Sequence, residues 1–270
     1  VQSAMIYAKS HVGNCNWPTE TGHVHRGLRG RDFFGEMAQR CHDAGMSVIT
    51  YYSLIFNTLA YDEHPSWRII DRHGEGSRDV PAKPGRYGKV CPNSQEYRLF
   101  VRTQMLELLA GYDFEGVYYD MTFWPAACYC ASCRERFMHE TGNEIPRDTD
   151  WDDPVWNEFQ RRREAWITEF AEYTTGIVKD HSNDISVNHN DASLTLPWQW
   201  GVPIDRVAHE DYCAGDLYGG FVEQSFICKF YRAMTKGMPF EYQTSRCEPD
   251  LQEHTVCKSE ATLMTHAMLA

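Results

Sequence analysis

The sequence predicts an α/β fold of the (β/α)-barrel kind, a parallel sheet with helices packed over it. Three observations predict it. Strand-like and helix-like stretches alternate along all 270 residues. The strand-like stretches are short, continuous apolar runs, as expected of strands covered on both faces. Four of them end in polar side chains: His11, Asp120, Asn188 with His189, and Glu210. Barrels and open α/β sheets alike keep their sites at the carboxyl ends of strands. No glycine-rich phosphate loop follows the first strand, which weighs against a dinucleotide-binding sheet.

The elements follow in order. Ala4 to Ala8 reads as a buried strand running into the polar loop Lys9 to Gly13. Arg31 to Ala44 is helical, with Phe33, Phe34, Met37 and Cys41 on one face and Gly45 as the stop. Ser47 to Tyr52 is the second strand, followed by a long loop through Pro65, Pro81 and Pro84. Ser94 to Tyr112 is a helix, and Gly116 to Asp120 a third strand that ends on a carboxylate. Met121 to about Trp151 reads as irregular. Val155 to Lys179 is a long helix. Ile185 to Asn188, Val207 to Glu210 and Met238 to Glu241 are the remaining strands. Helical patterns lie between Phe221 and Lys236 and from Ser259 to the chain end. The whole, residues 1–270, reads as one catalytic domain with a cysteine-rich insertion at about 121–152.

Composition narrows the function. A net charge of −12 argues against a nucleic-acid backbone as partner. No apolar run reaches the roughly 20 residues of a membrane span. Aromatic residues make up 13% of the chain, which suits either a large core or the apolar faces of sugars. Three of the ten cysteines crowd into Cys128, Cys130 and Cys133. In an intracellular, cytoplasmic enzyme such spacing points to a metal rather than to disulfides. Cys41 and Cys228 fall in helical patterns, as small buried apolar residues do.

Several segments resemble the retaining α-L-fucosidases, in the same order. Ala8-Lys9-Ser10-His11 stands where those enzymes have Ala-Lys-His-His-Asp-Gly. Gly45 to Ser53 is similar to their Gly-Leu-Tyr-Tyr-Ser strand. Gly116-Val117-Tyr118-Tyr119-Asp120-Met121 resembles the strand that ends on their nucleophile. Arg206 to Tyr212 resembles a segment bearing the acid/base in some of them, and Phe240 to Arg246 a later Trp-Glu-Phe-Thr-Arg stretch. Two departures stand out: Ser10-His11 replaces a His-His pair, and His189-Asn190 replaces an expected arginine. A second resemblance overlaps the first. Cys91-Pro92-Asn93-Ser94, then Cys128, Cys130 and Cys133, then Trp151 to Pro154, are similar to the zinc-bearing β-galactosidases. Together the two point to the "hypothetical glycosyl hydrolase" group of barrels related to fucosidases. Counted on the fucosidase pattern, the chain carries strands 2 to 7 of a (β/α)8 TIM-type barrel, so the sequence reads as a piece of a longer protein.

The resemblance implies a glycosidase cleaving a terminal sugar from oligosaccharides, with α-L-fucoside, β-galactoside and α-L-arabinoside as the sugars in play. Such chemistry needs two carboxyl groups flanking one bond. Asp120 is the expected nucleophile. Glu210 is the first choice for acid/base, with Asp211 beside it to raise its pKa, and Glu241 is the rival; on the galactosidase pattern Asp120 would instead be the acid and Glu241 the nucleophile. His11, Tyr52, Tyr118, Asn188, His189 and Trp124 are the expected substrate contacts. Cys91, Cys128, Cys130 and Cys133 would complete an all-thiolate, structural zinc site, and no organic cofactor is expected. Two other readings stay open: a non-catalytic carbohydrate-binding barrel, and a metal-dependent hydrolase using His11, His189, Asp191 and His209. Assembly as a homo-oligomer is also compatible with the sequence.

Overall fold

The computed structural model describes residues 2–79, 85–217, 219–235, 237–248 and 256–269. Pro81, Pro84, Lys236 and Ala270, which the sequence places in a loop, at a helix end and at the chain end, lie outside them.

Four parallel strands form the body of the sheet in chain order: β1 (Ser3–Lys9), β4 (Ser47–Ser53), β5 (Gly116–Asp120) and β6 (Ser186–His189). Two short strands, β2 (Asn14–Cys15) and β3 (His23–Val24), extend the β1 edge. β7 (Cys213–Leu217) and β8 (Phe240–Thr244) form a second parallel pair. β7 lies beside β6, where the Asp211 N–H donates to the Val187 carbonyl at 2.9 Å and side chains make up the rest of the junction. Asp211 accepts from the Val187 N–H at 2.7 Å and Glu210 from the His189 N–H at 2.8 Å. β1, β4, β5 and β6 thus each pair in parallel with the next, and β7 does so with β8, the order a (β/α) barrel uses.

The helices explain why one face of the sheet is dry. α1 (Phe33–Asp43) is capped by Asp32, which accepts from the Gly35 N–H, and ends before Gly45 in a left-handed conformation (φ 71°). α2 (Thr58–Glu63) lies in the loop after β4. α3 (Gln95–Gly111) is capped by Ser94. α5 (Pro154–His181) starts on Asp153 with proline in its first turn. Its buried residues, among them Trp156, Phe159, Arg163, Trp166, Phe170, Thr174 and Ile177, recur at three- and four-residue steps. They meet Val48, Tyr52, Val117, Tyr119 and Val187 from the sheet in one core. The opposite face carries Tyr7, Tyr51 and Tyr118, stacked at centroid distances of 3.9 and 5.9 Å. Tyr7 is half exposed there. The strands therefore alternate between a helix-covered face and an inner aromatic one.

Three sequence expectations need correction. Val207 to Glu210 is not a strand: Ile204–His209 is a 3-10 helix, and the strand is β7, displaced toward the carboxyl end. Its Cys-Ala-Gly-Asp-Leu sequence lacks β-branched residues, so propensity gave no signal. Gly215 is required there, since a Cβ would come within 2.4 Å of the Ala192 nitrogen. The last strand begins at Phe240 rather than Met238, because the turn at Gly237 (φ 96°) and Pro239 occupies the earlier positions. The segment read as irregular contains α4 (Ala131–Thr141), which ends on Gly142 in a left-handed conformation (φ 73°). α6 (Phe221–Met234) and α7 (Glu260–Leu269) follow β7 and close the described chain, with β9 (Cys247–Glu248) and β10 (Val256–Cys257) between them. No helix among the described residues is long and apolar enough to cross a membrane.

Candidate active site

Asp120 ends β5, buried at the carboxyl rim of the sheet. Met121 follows with φ at 62°, a conformation that costs a non-glycine residue about 1–2 kcal/mol. The Met121 N–H donates to Asp120 Oδ1 at 2.7 Å. Asn190 Nδ2 donates to the same oxygen at 2.9 Å. The Tyr51 hydroxyl donates to Oδ2, and His11 Nε2 lies 3.7 Å from it. Burial, then the charge of Asp120, pushes the Tyr51 phenol far above its ordinary pKa, so it stays a proton donor. Burial lowers the pKa of His11 against the opposing pull of Asp120. Its other ring nitrogen meets Ser53 Oγ at 2.8 Å. The carboxylate is therefore fixed by three donors and faced by an imidazole that burial favours as neutral.

The same Asn190 amide reaches a second carboxyl group. Its Nδ2 donates to Asp216 Oδ2 at 3.0 Å, one hydrogen for each acid. Asn190 Oδ1 accepts from the Ala192 N–H at 3.0 Å, which fixes which way the amide faces. Two bonds from one nitrogen hold Asp120 Oδ1 and Asp216 Oδ2 no more than about 6 Å apart. Asp216 is only partly buried and sits near the end of β7, opposite Gln243 of β8. Gln243 Oε1 accepts from Tyr118 at 3.2 Å, and its amide donates to Glu241 at 2.9 Å. Glu241 is exposed and lies one inner-face position nearer the amino end of β8.

Other expected site residues lie apart from this cluster. The Glu210 side chain is fully enclosed. Its Oε2 accepts from Asn188 Nδ2 and the His189 N–H, both at 2.8 Å. Arg206 stands 3.7 Å from Oε1 and donates to Asp191 at 2.6 Å. Burial, then the nearby Asp191 charge, raises the Glu210 pKa well above the carboxylate range, with Arg206 opposing. Asn188 belongs to this enclosed cluster. Tyr52 points to the helix side and donates to Gln104 at 2.6 Å. His189 is fully buried on that side between Thr122 and Thr175, at 2.9 and 3.0 Å. Trp124 is buried and donates to the Arg163 carbonyl at 2.7 Å. The structure brings together His11, Asp120 and, through Gln243, Tyr118 and Glu241.

Tyr51, Asn190 and Asp216 were missed. Tyr51 shares a face with its register partner Tyr118, but the sequence does not fix that register, and a shift of one residue would put Tyr52 there instead. Asn190 lies one residue beyond the polar strand end at His189. Asp216 carried no signal, because its strand was misplaced.

Cys91, Cys128, Cys130 and Cys133 are all buried and unpaired by disulfides, with sulfurs within 4.8 Å of one another. Tetrahedral zinc at 2.3 Å from each sulfur needs sulfur–sulfur edges of about 3.8 Å. Cys91 and Cys133 are 3.4 Å apart, so the quartet fits such an ion after small adjustment. Asn93 turns its backbone N–H to Cys91 at 3.4 Å and its amide to Cys133 at 3.3 Å, as donors around bound thiolates do. Four sulfurs would fill the coordination sphere, so the ion would fasten the loop before α3 to the start of α4 and leave no position for water. Among the described residues this quartet is the group whose ligand atoms converge. His11, His189, Asp191 and His209 do not converge, which removes the metal-hydrolase reading they supported.

This is a parallel α/β sheet with a pair of carboxyl groups bridged at its carboxyl rim, and similar architectures are known. Residues 1–121 match the model of the family described as hypothetical glycosyl hydrolase 6. The fold is similar to α-L-fucosidase isoenzyme 2 from Paenibacillus thiaminolyticus, with TM-score 0.75 and 23% identity over 96% of this chain and 37% of that one. It is similar to a β-galactosidase from Marinomonas ef1, with TM-score 0.69 and 13% identity over 100% of this chain and 55% of that one. A glycoside hydrolase domain from Bordetella bronchiseptica gives TM-score 0.70 and 12% identity over 99% of this chain and 80% of that domain. The chain thus spans little more than a third of the fucosidase and about half of the galactosidase. No curated protein sequence matches it. The fucosidase, galactosidase and hypothetical glycosyl hydrolase resemblances read from the sequence all recur among these matches.

Proposed function

We propose that the chain carries the catalytic sheet of a retaining glycoside hydrolase, within a (β/α)8 TIM-type barrel formed by the whole protein. The observation that carries this is the Asn190 amide, shared between Asp120 and Asp216 at the strand ends. Retaining enzymes keep their two carboxyl groups about 5–5.5 Å apart, and inverting ones about 6.5–9.5 Å. A shared donor favours the shorter class. Asp120 acts as nucleophile on the anomeric carbon, held by Tyr51, Asn190 and the Met121 N–H. Asp216, only partly buried, protonates the leaving oxygen and later takes the proton of the attacking water. Glu210 fits that task less well, because its carboxyl is enclosed and already serves β6. Glu241 stays a rival through its bond to Gln243. His11 and Tyr118 contact sugar hydroxyls, and the inner tyrosines offer a face for the ring.

The fold of the fucosidase neighbour and the matched segments make an α-L-fucoside the first substrate to try, on an oligosaccharide terminus. A β-galactoside or α-L-arabinoside follows. The cysteine quartet holds structural zinc, and a cytoplasmic setting suits four reduced thiols.

The test is an aryl-glycoside screen on the full-length protein, followed by variants on whichever substrate turns over. Asp120→Asn abolishes turnover while sugar binding persists. Asp216→Ala slows unactivated leaving groups far more than activated aryl ones, and azide restores activity with a glycosyl azide of retained configuration. If Glu210→Ala or Glu241→Ala shows the azide rescue and Asp216→Ala does not, the acid/base role moves to that residue. Inverted product from the wild type would end the retaining assignment.

A further inference from the structure

Eight of the ten cysteines are buried, and four of those converge on one point. Cys247 and Cys257 differ: the first is partly exposed and the second exposed. They face each other across β9 and β10, each the register partner of the other. The Lys258 N–H donates to the Arg246 carbonyl at 2.8 Å, one residue outside the pair. In an antiparallel ladder that pattern marks Cys247 and Cys257 as a non-hydrogen-bonded pair. Such pairs have Cα atoms about 4.5 Å apart and side chains in contact. A disulfide needs Cα atoms about 4.4–6.8 Å apart, so this pair meets the requirement at its short end. The two thiols are already side-chain partners.

We propose that Cys247 and Cys257 form a cross-strand disulfide by exchange with a small-molecule disulfide such as oxidised glutathione. The exposed Cys257 thiolate attacks one glutathione sulfur, forms a mixed disulfide and releases one glutathione thiol. The Cys247 thiolate then displaces the second glutathione, so the protein loses two thiol protons and two electrons, and the glutathione disulfide gains both. Arg246 is exposed beside the pair, where its charge draws the anionic reagent. An exposed bond at the short end of the distance range belongs to the labile class that reduces readily. Its position gives it consequence: β8 ends at Thr244 on the rim that carries Asp216 and Gln243, and Cys247 follows three residues on. The bond would tie β9 to β10 covalently, a few residues beyond that rim.

The test needs no substrate. The native protein is incubated with oxidised glutathione, denatured, alkylated with iodoacetamide and cut with trypsin. Cleavage after Arg246 and Lys258 places both cysteines on one peptide. The expected result is that peptide without alkyl groups and lighter by two hydrogens, while Cys91, Cys128, Cys130 and Cys133 are recovered alkylated. In Cys257→Ser, Cys247 is expected without any internal bond. The same peptide recovered doubly alkylated from the treated wild type, or carrying glutathione on both sulfurs, would overturn the proposal.

Discussion

At the scale of single residues, the site rests on donors aimed at one carboxylate. Tyr51 is the one whose removal tests this most cleanly, because phenylalanine keeps the stacked ring and removes only the hydroxyl. A hydrogen bond to a charged group contributes about 1.5–3 kcal/mol. Tyr51→Phe should therefore lower kcat by roughly 10- to 100-fold. Circular dichroism and Tm should stay near those of the wild type. An unchanged kcat on a substrate that Asp120→Asn cannot turn over would show that the hydroxyl does not tune Asp120.

At the scale of elements, two junctions carry testable strain and linkage. The end of β5 stores the left-handed Met121. Met121→Gly removes the Cβ clash, and the gain is partly offset by the greater freedom of glycine in the unfolded chain. The expected outcome is a stability gain of up to about 1 kcal/mol in urea unfolding, with kcat falling if the strain positions the N–H on Asp120. The second junction joins the loop before α3 to α4. Removing metal with a chelator, or replacing Cys128 with serine, should lower Tm and make the segment around α4 sensitive to protease. Elemental analysis should give one zinc per chain, lost in the variant. The Asp120 cluster draws no ligand from the quartet, so residual activity is expected in whatever fraction stays folded.

At the scale of the whole molecule, one buried charge couples folding to pH. Lys9 is fully enclosed between the sheet and α3, its ammonium 4.0 Å above the Tyr52 ring and without a hydrogen bond. Burial brings its pKa down to about 7, with the thiol of Cys15 opposing weakly. The unfolded chain keeps an ordinary lysine near pKa 10.4, so between about pH 7 and 10.4 it binds a proton that the native state lacks. Stability from this group therefore rises with pH across that window, and the cost of burial is full below it. At neutral pH the cost is at most about 4 kcal/mol, and the aromatic face of Tyr52 reduces it. Lys9→Met should raise the urea midpoint at pH 7 and flatten the rise toward pH 10. A variant with the same slope as the wild type would assign the pH dependence to another group.

What the sequence determined by itself was local and periodic. The helices α1, α3 and α5 were legible because apolar spacing and capping residues are short-range signals. The strands before Lys9, Ser53, Asp120 and His189 were legible as apolar runs ending in polar residues. The cysteine spacing at 128, 130 and 133 was legible as a cluster, which converges with Cys91, and Asp120 was legible as a strand-end carboxylate. Tertiary structure decided the rest. Which neighbour in Tyr51-Tyr52 faces Asp120 depends on register, and a shift of one residue exchanges the two faces. Glu210 and Asp216 are both carboxyl groups near the ends of predicted or real strands. Only packing encloses the first against Arg206 and Asp191 and leaves the second sharing Asn190 with Asp120. β7 escaped notice because Gly215 is there for close approach to Ala192, a long-range demand that a window of sequence does not contain. The site was thus half written in the chain: one carboxylate by its position on a strand, the other only by the partner that the fold brings to it.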